Sequence, residues 1–367
     1  KVRKLKLPGV IVVQDQWRLY PGKDLAAQTL GFVGYKGESK SKVGVYGLEK
    51  GWDSTLSESA TGLYVNPFAE IFTNIEPALS TDPTSHHGSI VTSIEPSVEA
   101  QLEKTLDEVM KDYTPKLAGG IIMDPKTGEI YAIGLRPDFD PNTYNLVTNP
   151  GVYSNVLVSG RYELGSIMKP LTMAAGIDAG AVTPQTTYDD TGCITRSKKQ
   201  ICNYDLKARG VVPMQEVLNQ SLNLGVTFVT DKMGHPKLTE YFKAYGLGSK
   251  TGVDLPDEVT GDLSPMGDGS GPDVNYAAAS FGQGIAVSPI EMIRALSVLA
   301  NEGKLPSPHV VTAVKYESGV TRALPVADSV QVLKPESAET VTTMLTTVYD
   351  KALLKGAIKM DHYSVAA

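Results

Sequence analysis

Apolar residues at Val98, Leu102, Leu106 and Met110 recur every fourth position, which predicts an amphipathic helix over 97–112. Further helices, several with Pro at their starts, are expected over 170–179, 213–220, 224–233, 237–244, 289–301 and 337–349. Short apolar runs at 89–94, 119–124 and 129–134 read as strands, the last two joined across Pro125-Lys126-Thr127-Gly128. Residues 362–367 read as the start of a further strand. Residues 1–88 are rich in Gly and short apolar runs and read as strands and loops, with 80–88 (Ser-Thr-Asp-Pro-Thr-Ser-His-His-Gly) as a linker. Hairpins mixed with helices, without strict βαβ alternation, predict an α+β fold, mainly antiparallel sheet flanked by helices. The expected division is a β-rich N-terminal domain over 1–88 and a larger domain over 89–367.

Composition narrows the function. The 367 residues are 41% hydrophobic and 20% charged, an ordinary globular balance, long enough for two cores. The net charge of -7 argues against a nucleic-acid partner, which needs a basic face. The basic run from Lys1 to Lys6 reads as a solvated end. No apolar stretch approaches the ~18 residues of a membrane helix. The chain starts at Lys, so an upstream segment is expected to have been removed. Cys193 and Cys202 flank a polar centre, Arg196-Ser197-Lys198-Lys199-Gln200, which suggests a hairpin. A disulfide between them and a pair of free thiols both fit, the disulfide only outside the cytoplasm. Two cysteines without a second ligand pair do not make a zinc site.

Candidate chemistry begins at Gly165-Ser166-Ile167-Met168-Lys169-Pro170. Pro170 belongs in a first helical turn, so Ser166 lies at the helix start and Lys169 on the same face one turn on. A desolvated lysine can take a proton from a serine, and helix-start N–H groups favour negative charge nearby. Alone the motif is weak: Ser166 reads more readily as a helix cap beside a surface lysine, and the same spacing recurs at Ser39 and Lys42. The second candidate is Ser221-Leu222-Asn223, between two short helices. Ser221 can relay a proton, and Asn223 can hydrogen-bond Lys169 and a substrate carbonyl. Taken alone, it reads better as capping of the next helix.

Together these pieces carry a resemblance. The run from Arg161 to Pro170 resembles the acylation motif of class B penicillin-binding proteins, and Asn219-Gln220-Ser221-Leu222-Asn223 resembles their second motif, 55 residues on. Phe281-Gly282-Gln283-Gly284, Ser288-Pro289, Ala300-Asn301-Glu302-Gly303, Gly246-Leu247-Gly248, Thr251-Gly252 and Leu255-Pro256 resemble later family segments. Tyr20-Pro21, Leu30-Gly31-Phe32-Val33-Gly34 and Gly47-Leu48-Glu49 resemble the non-catalytic pedestal. The resemblance implies a penicillin-binding transpeptidase fold on that pedestal. It implies a serine D-Ala–D-Ala transpeptidase with Ser166 as nucleophile, Lys169 as base, Ser221 as proton relay and Asn223 orienting the substrate. Gly282, Gln283 and Gly284 are expected to bind substrate. No metal or cofactor is expected.

The same resemblance implies as partners peptidoglycan stem peptides, β-lactams, a glycosyltransferase and other wall-synthesis proteins. It also implies an extracytoplasmic position held by an upstream membrane helix. A non-catalytic scaffold and a β-lactam sensor or β-lactamase remain as alternatives. The family's third motif, Lys-Thr-Gly followed by Thr or Ser, should follow the last helix. Lys126-Thr127-Gly128 precedes the nucleophile and Lys250-Thr251-Gly252 sits in an earlier family loop, so neither qualifies. The true motif is expected at or just after the position beyond Ala367. A chain ending there would lose an oxyanion donor and at least ~100-fold in rate. Gly248-Ser249-Lys250-Thr251 lacks the glycine of a phosphate loop, and His86 and His87 read as linker residues.

Overall fold

The computed structural model describes residues 17–35, 42–57 and 87–367. Lys1 to Lys6, Ser39, His86 and most of the expected 80–88 linker lie outside them. The N-terminal residues form a hairpin, β1 (Val33–Tyr35) and β2 (Lys42–Gly44). Three short helices, Ala27–Leu30, Gly47–Gly51 and Asp53–Leu56, accompany it where only strands and loops were predicted. Helices of one turn are too short to display a 3.6-residue period.

From β3 (Gly88–Thr92) the chain enters α1 (Pro96–Tyr113), which packs on the hairpin β4 (Ala118–Met123) and β5 (Ile130–Arg136). The turn between them contains the first Lys-Thr-Gly triplet. Asp124 Oδ1 accepts from the N–H groups of Lys126 and Thr127. Gly128 has φ 82°, and a Cβ there would lie 2.2 Å from the Ser307 carbonyl oxygen, so only glycine fits. Beyond it come α2 (Lys169–Asp178) and strands β6 (Thr187–Asp190), β7 (Cys193–Arg196), β8 (Lys199–Cys202) and β9 (Gly210–Pro213). Helices α3 (Met214–Asn219), α4 (Asn223–Met233), α5 (Pro289–Ala300) and α6 (Pro335–Thr347) complete the site's surroundings.

Among the described residues every strand ladder is antiparallel, as expected, but the strands form small sheets and not one continuous sheet. The largest has three strands: Val311–Tyr316 lies between Thr321–Ala323 and β3. Residues 362–367 form no strand. They meet no strand edge among the described residues, and the Ala367 N–H instead reaches the Leu345 carbonyl in α6 at 3.4 Å. A strand exists only as half of a ladder, so the apolar pattern there is not enough. The second Lys-Thr-Gly triplet is a loop in which the Thr251 N–H and hydroxyl both donate to Glu258.

Among the described residues, three apolar clusters form the core. The largest gathers α2, α3, α4, α5 and α6 around Leu171, Met173, Val226 and Phe242. The second packs β4 and β5 on Ile290 and includes Leu48 from the N-terminal residues. The third is aromatic: Phe32 stacks on Tyr144 at 4.2 Å and meets Phe139 and Tyr153 edge-on.

A polar cluster lies where α1 crosses β5. Arg136 is buried and bonds Asp107 at 2.6 Å, Asp138 at 3.0 Å and Glu103 at 3.3 Å. Glu103 also accepts the Ala26 N–H at 2.8 Å, and its neighbour Glu99 accepts the Ile133 N–H at 2.8 Å. The other Glu99 oxygen is buried without a hydrogen-bond partner. Burial, with the like charge of Glu103 adding to it, pushes Glu99 up to about 7 despite the opposing Ile133 N–H. The raised value means the folded state holds a proton that the unfolded state releases near pH 4.5. That contribution is fully present below pH 4.5 and is lost as pH rises through about 7. Glu99→Gln should therefore gain on the wild type between pH 5 and 8, by on the order of 2 kcal/mol in urea unfolding. A difference that does not change with pH would refute the assignment.

Candidate active site

Ser166 occupies a 3-10 turn, Gly165–Met168, that runs directly into α2. In that geometry residues three apart eclipse, so Ser166 and Lys169 project one above the other. The turn explains why the helix starts one residue earlier than Pro170 suggests. Ser166 is exposed, while Lys169 is 2% exposed. The first N–H groups of such a turn have no partner within the helix, which leaves the Ser166 N–H available to an oxyanion.

The segment leading to Ser166 is clamped by residues 282–287. Tyr162 and Val287 exchange two backbone hydrogen bonds, and the Gly165 N–H donates to the Gly282 carbonyl at 3.1 Å. A Cβ at Gly282 would stand 2.3 Å from the Gly165 carbonyl oxygen. The Gly284 N–H donates to Glu163 at 3.2 Å. Gly282 and Gly284, expected to contact substrate, here support the backbone that leads to Ser166. Gln283 is exposed.

Ser221 is placed by the end of α3. Its N–H donates to the Leu218 carbonyl and the Leu222 N–H to the Val217 carbonyl, a Schellman cap with Ser221 at φ 52°. Glycine usually fills that left-handed position. A serine costs about 1 kcal/mol there and supplies a hydroxyl. Both the Ser221 carbonyl and hydroxyl meet the Lys169 amine, at 2.5 and 2.8 Å. Burial brings the amine down from 10.5 to about 8, so a useful fraction is neutral near pH 7 to 8. Leu222, fully buried, anchors the cap in the core.

Asn223 opens α4, but its amide does not bond Lys169 as expected. The Asn223 Nδ2 donates to the Cys202 carbonyl at 2.8 Å, because the end of β8 lies against the start of α4. Cys193 and Cys202 stand opposite each other at the open end of β7 and β8, joined by a disulfide with Cα atoms 4.1 Å apart.

Ser166, Lys169 and Ser221 line one cavity of about 450 Å³, walled by Leu218, Leu296 and Leu345. Two supports of this site were not found from the sequence. Asn203 donates to both Asp190 carboxylate oxygens and accepts the Leu224 N–H, capping α4. No spacing rule links those three positions. Glu291 is buried, closes a capping box with Ser288 and accepts the N–H groups of Gly248 and Gly261. The box itself is legible in Ser288-Pro289-Ile290-Glu291.

The sequence model described as the penicillin binding protein transpeptidase domain matches residues 118–367. Stage V sporulation protein D of Bacillus subtilis is 31% identical over 312 residues, 84% of this chain and 47% of that protein. Peptidoglycan D,D-transpeptidase FtsI of Escherichia coli is 26% identical over 308 residues, covering 82% of this chain and 49% of the relative. The chain thus spans about half the length of these relatives. Penicillin-binding protein 3 of Mycobacterium tuberculosis, solved with ampicillin, superposes with TM-score 0.75 at 23% identity, over 90% of this chain and 68% of that one. At that identity the superposition establishes the fold alone. With the model match extending through the 3-10 turn, the Schellman cap and the glycine clamp, the chain belongs to the penicillin-binding protein transpeptidase family.

Proposed function

We propose that this protein is a peptidoglycan D,D-transpeptidase working through an acyl-enzyme on Ser166. The observation that carries the reading is the buried Lys169 amine, one 3-10 turn from an exposed serine and bonded to the Ser221 hydroxyl. Lys169 takes the Ser166 proton as the oxygen attacks the carbonyl of the terminal D-Ala–D-Ala bond. The Ser166 N–H stabilises the resulting oxyanion, a donor worth about 3 kcal/mol. The proton passes from Lys169 through Ser221 to the departing D-Ala nitrogen as the C–N bond breaks. An amine from a second stem peptide then attacks the ester, forms the cross-link and returns the proton to Ser166. Asn223, held by the Cys202 carbonyl, keeps its side-chain oxygen for the substrate amide.

A β-lactam enters the first half of this cycle and stops at the ester. The ampicillin complex of the M. tuberculosis protein with the same fold supports that step. The disulfide supports an extracytoplasmic site of action. An upstream membrane anchor and glycosyltransferase partners remain part of the proposal on family grounds; no described helix is long and apolar enough to cross a membrane.

Fluorescent penicillin should label the wild type covalently. Ser166→Ala should reduce labelling by at least ~1,000-fold, and equal labelling would remove Ser166 as nucleophile. The acylation rate should rise about tenfold per pH unit below the Lys169 value of about 8 and level off above it. A flat profile between pH 6 and 9 would exclude Lys169 as the base. Ser221→Gly keeps the left-handed cap and removes only the hydroxyl. It should leave the melting temperature at or above the wild type while slowing acylation about 100-fold. Unchanged acylation would end the relay role.

A further inference from the structure

The segment from β7 to Arg209 contrasts with the rest of the chain. Its cations are Arg196, Lys198, Lys199, Lys207 and Arg209 and its sole carboxylate is Asp205, in a protein of net charge -7. Arg196 pairs with Asp231, and Arg209 forms a fork with Asp205 at 2.7 and 2.9 Å. Lys198, Lys199 and Lys207 are exposed, without an ion-pair partner among the described residues. Tyr204 and Leu206 stand beside them, 73% and 69% exposed.

The segment is also held in shape. Ser197 and Lys198 form the hairpin tip with φ 47° and 65°, and Leu206 has φ 62°. All three are left-handed positions that glycine or asparagine ordinarily takes. Such strain persists only where the surroundings enforce it. The disulfide closes the hairpin, and Asn203 is bonded to the buried Asp190. Arg209 packs over the Tyr204 ring. The segment is fastened on both sides of Ser221: the Cys202 carbonyl to Asn223, and Arg209 Nε to Gln220 at 3.1 Å.

We propose that this basic hairpin and loop form a docking site for a carboxylate-bearing peptide, the stem peptide of the acceptor strand. The proposal rests on the transpeptidase reading. The three free lysines attract the peptide's carboxylates, and Tyr204 and Leu206 supply apolar contact. The strand is thereby guided to the Ser221 side of the site. Nothing in the acylation half-reaction needs these lysines, so donor and acceptor binding are separable.

The test measures pelleting of the protein with purified insoluble peptidoglycan, beside the same material with its carboxyl groups converted to amides. The triple variant Lys198→Ser, Lys199→Ser, Lys207→Ser is compared with the wild type, and end-point penicillin labelling is read on both. The wild type should bind native polymer about tenfold more tightly than the variant does, and more tightly than it binds amidated polymer, with labelling equal in both proteins. Equal pelleting of variant and wild type, or equal binding of native and amidated polymer, overturns the proposal. So does heparin binding as tightly through the same lysines, which would make the patch a general polyanion site. Absence of labelling in the wild type is a different result: it removes the transpeptidase reading and with it the acceptor assignment.

Discussion

The structure depends on a lysine amine kept out of water. Lys169 is buried, and its amine rests on the carbonyl and hydroxyl of a single residue, Ser221. A charged lysine in that position is costly, and the protein relieves the cost by lowering the amine's proton affinity instead of supplying a carboxylate. Burial is the cause of the shift. The largest apolar cluster therefore bears on the amine, since it contains Met168, Leu171, Leu218 and Leu222, neighbours of Lys169 and Ser221 along the chain.

Each support of that amine is a backbone device. The 3-10 turn puts the serine above the lysine, and the Schellman cap holds a second serine in a left-handed conformation. Gly282 lets two segments touch where a Cβ would collide with the Gly165 carbonyl, and Gly165 takes a left-handed φ of 67°. Polar side chains then lock the devices: Glu163 on Gly284, Arg209 on Gln220, Asn203 on the start of α4. The precision lies in turns and caps, while the helices and small sheets provide rigid walls.

Much of this was legible in the sequence. The long helices were placed to within two residues at each end, α1 through its apolar period, and the hairpins showed at 118–136 through its turn residues and at 193–202 through the polar centre between its cysteines. The serine-lysine pair and the second serine were legible because their spacing resembles a family pattern. What escaped depends on contacts between distant positions. No local rule aims the Asn223 amide at Cys202 instead of Lys169, or sets Gly282 against the Gly165 backbone. The one-turn N-terminal helices were below the length at which periodicity speaks, and residues 362–367 carried a strand pattern but pair with no strand among the described residues.

The N-terminal residues show what it means to share a core. Phe32 and Tyr20 complete the aromatic cluster with Phe139 and Tyr153, Leu48 fills the cluster around Ile133, and Ala26 hangs from Glu103. Peeling residues 17–35 and 42–56 away would open two apolar clusters to water and strip a partner from a buried carboxylate. The arm therefore melts together with the helix-covered hairpin beneath it, and tension applied at the arm is carried straight into α1 and β5.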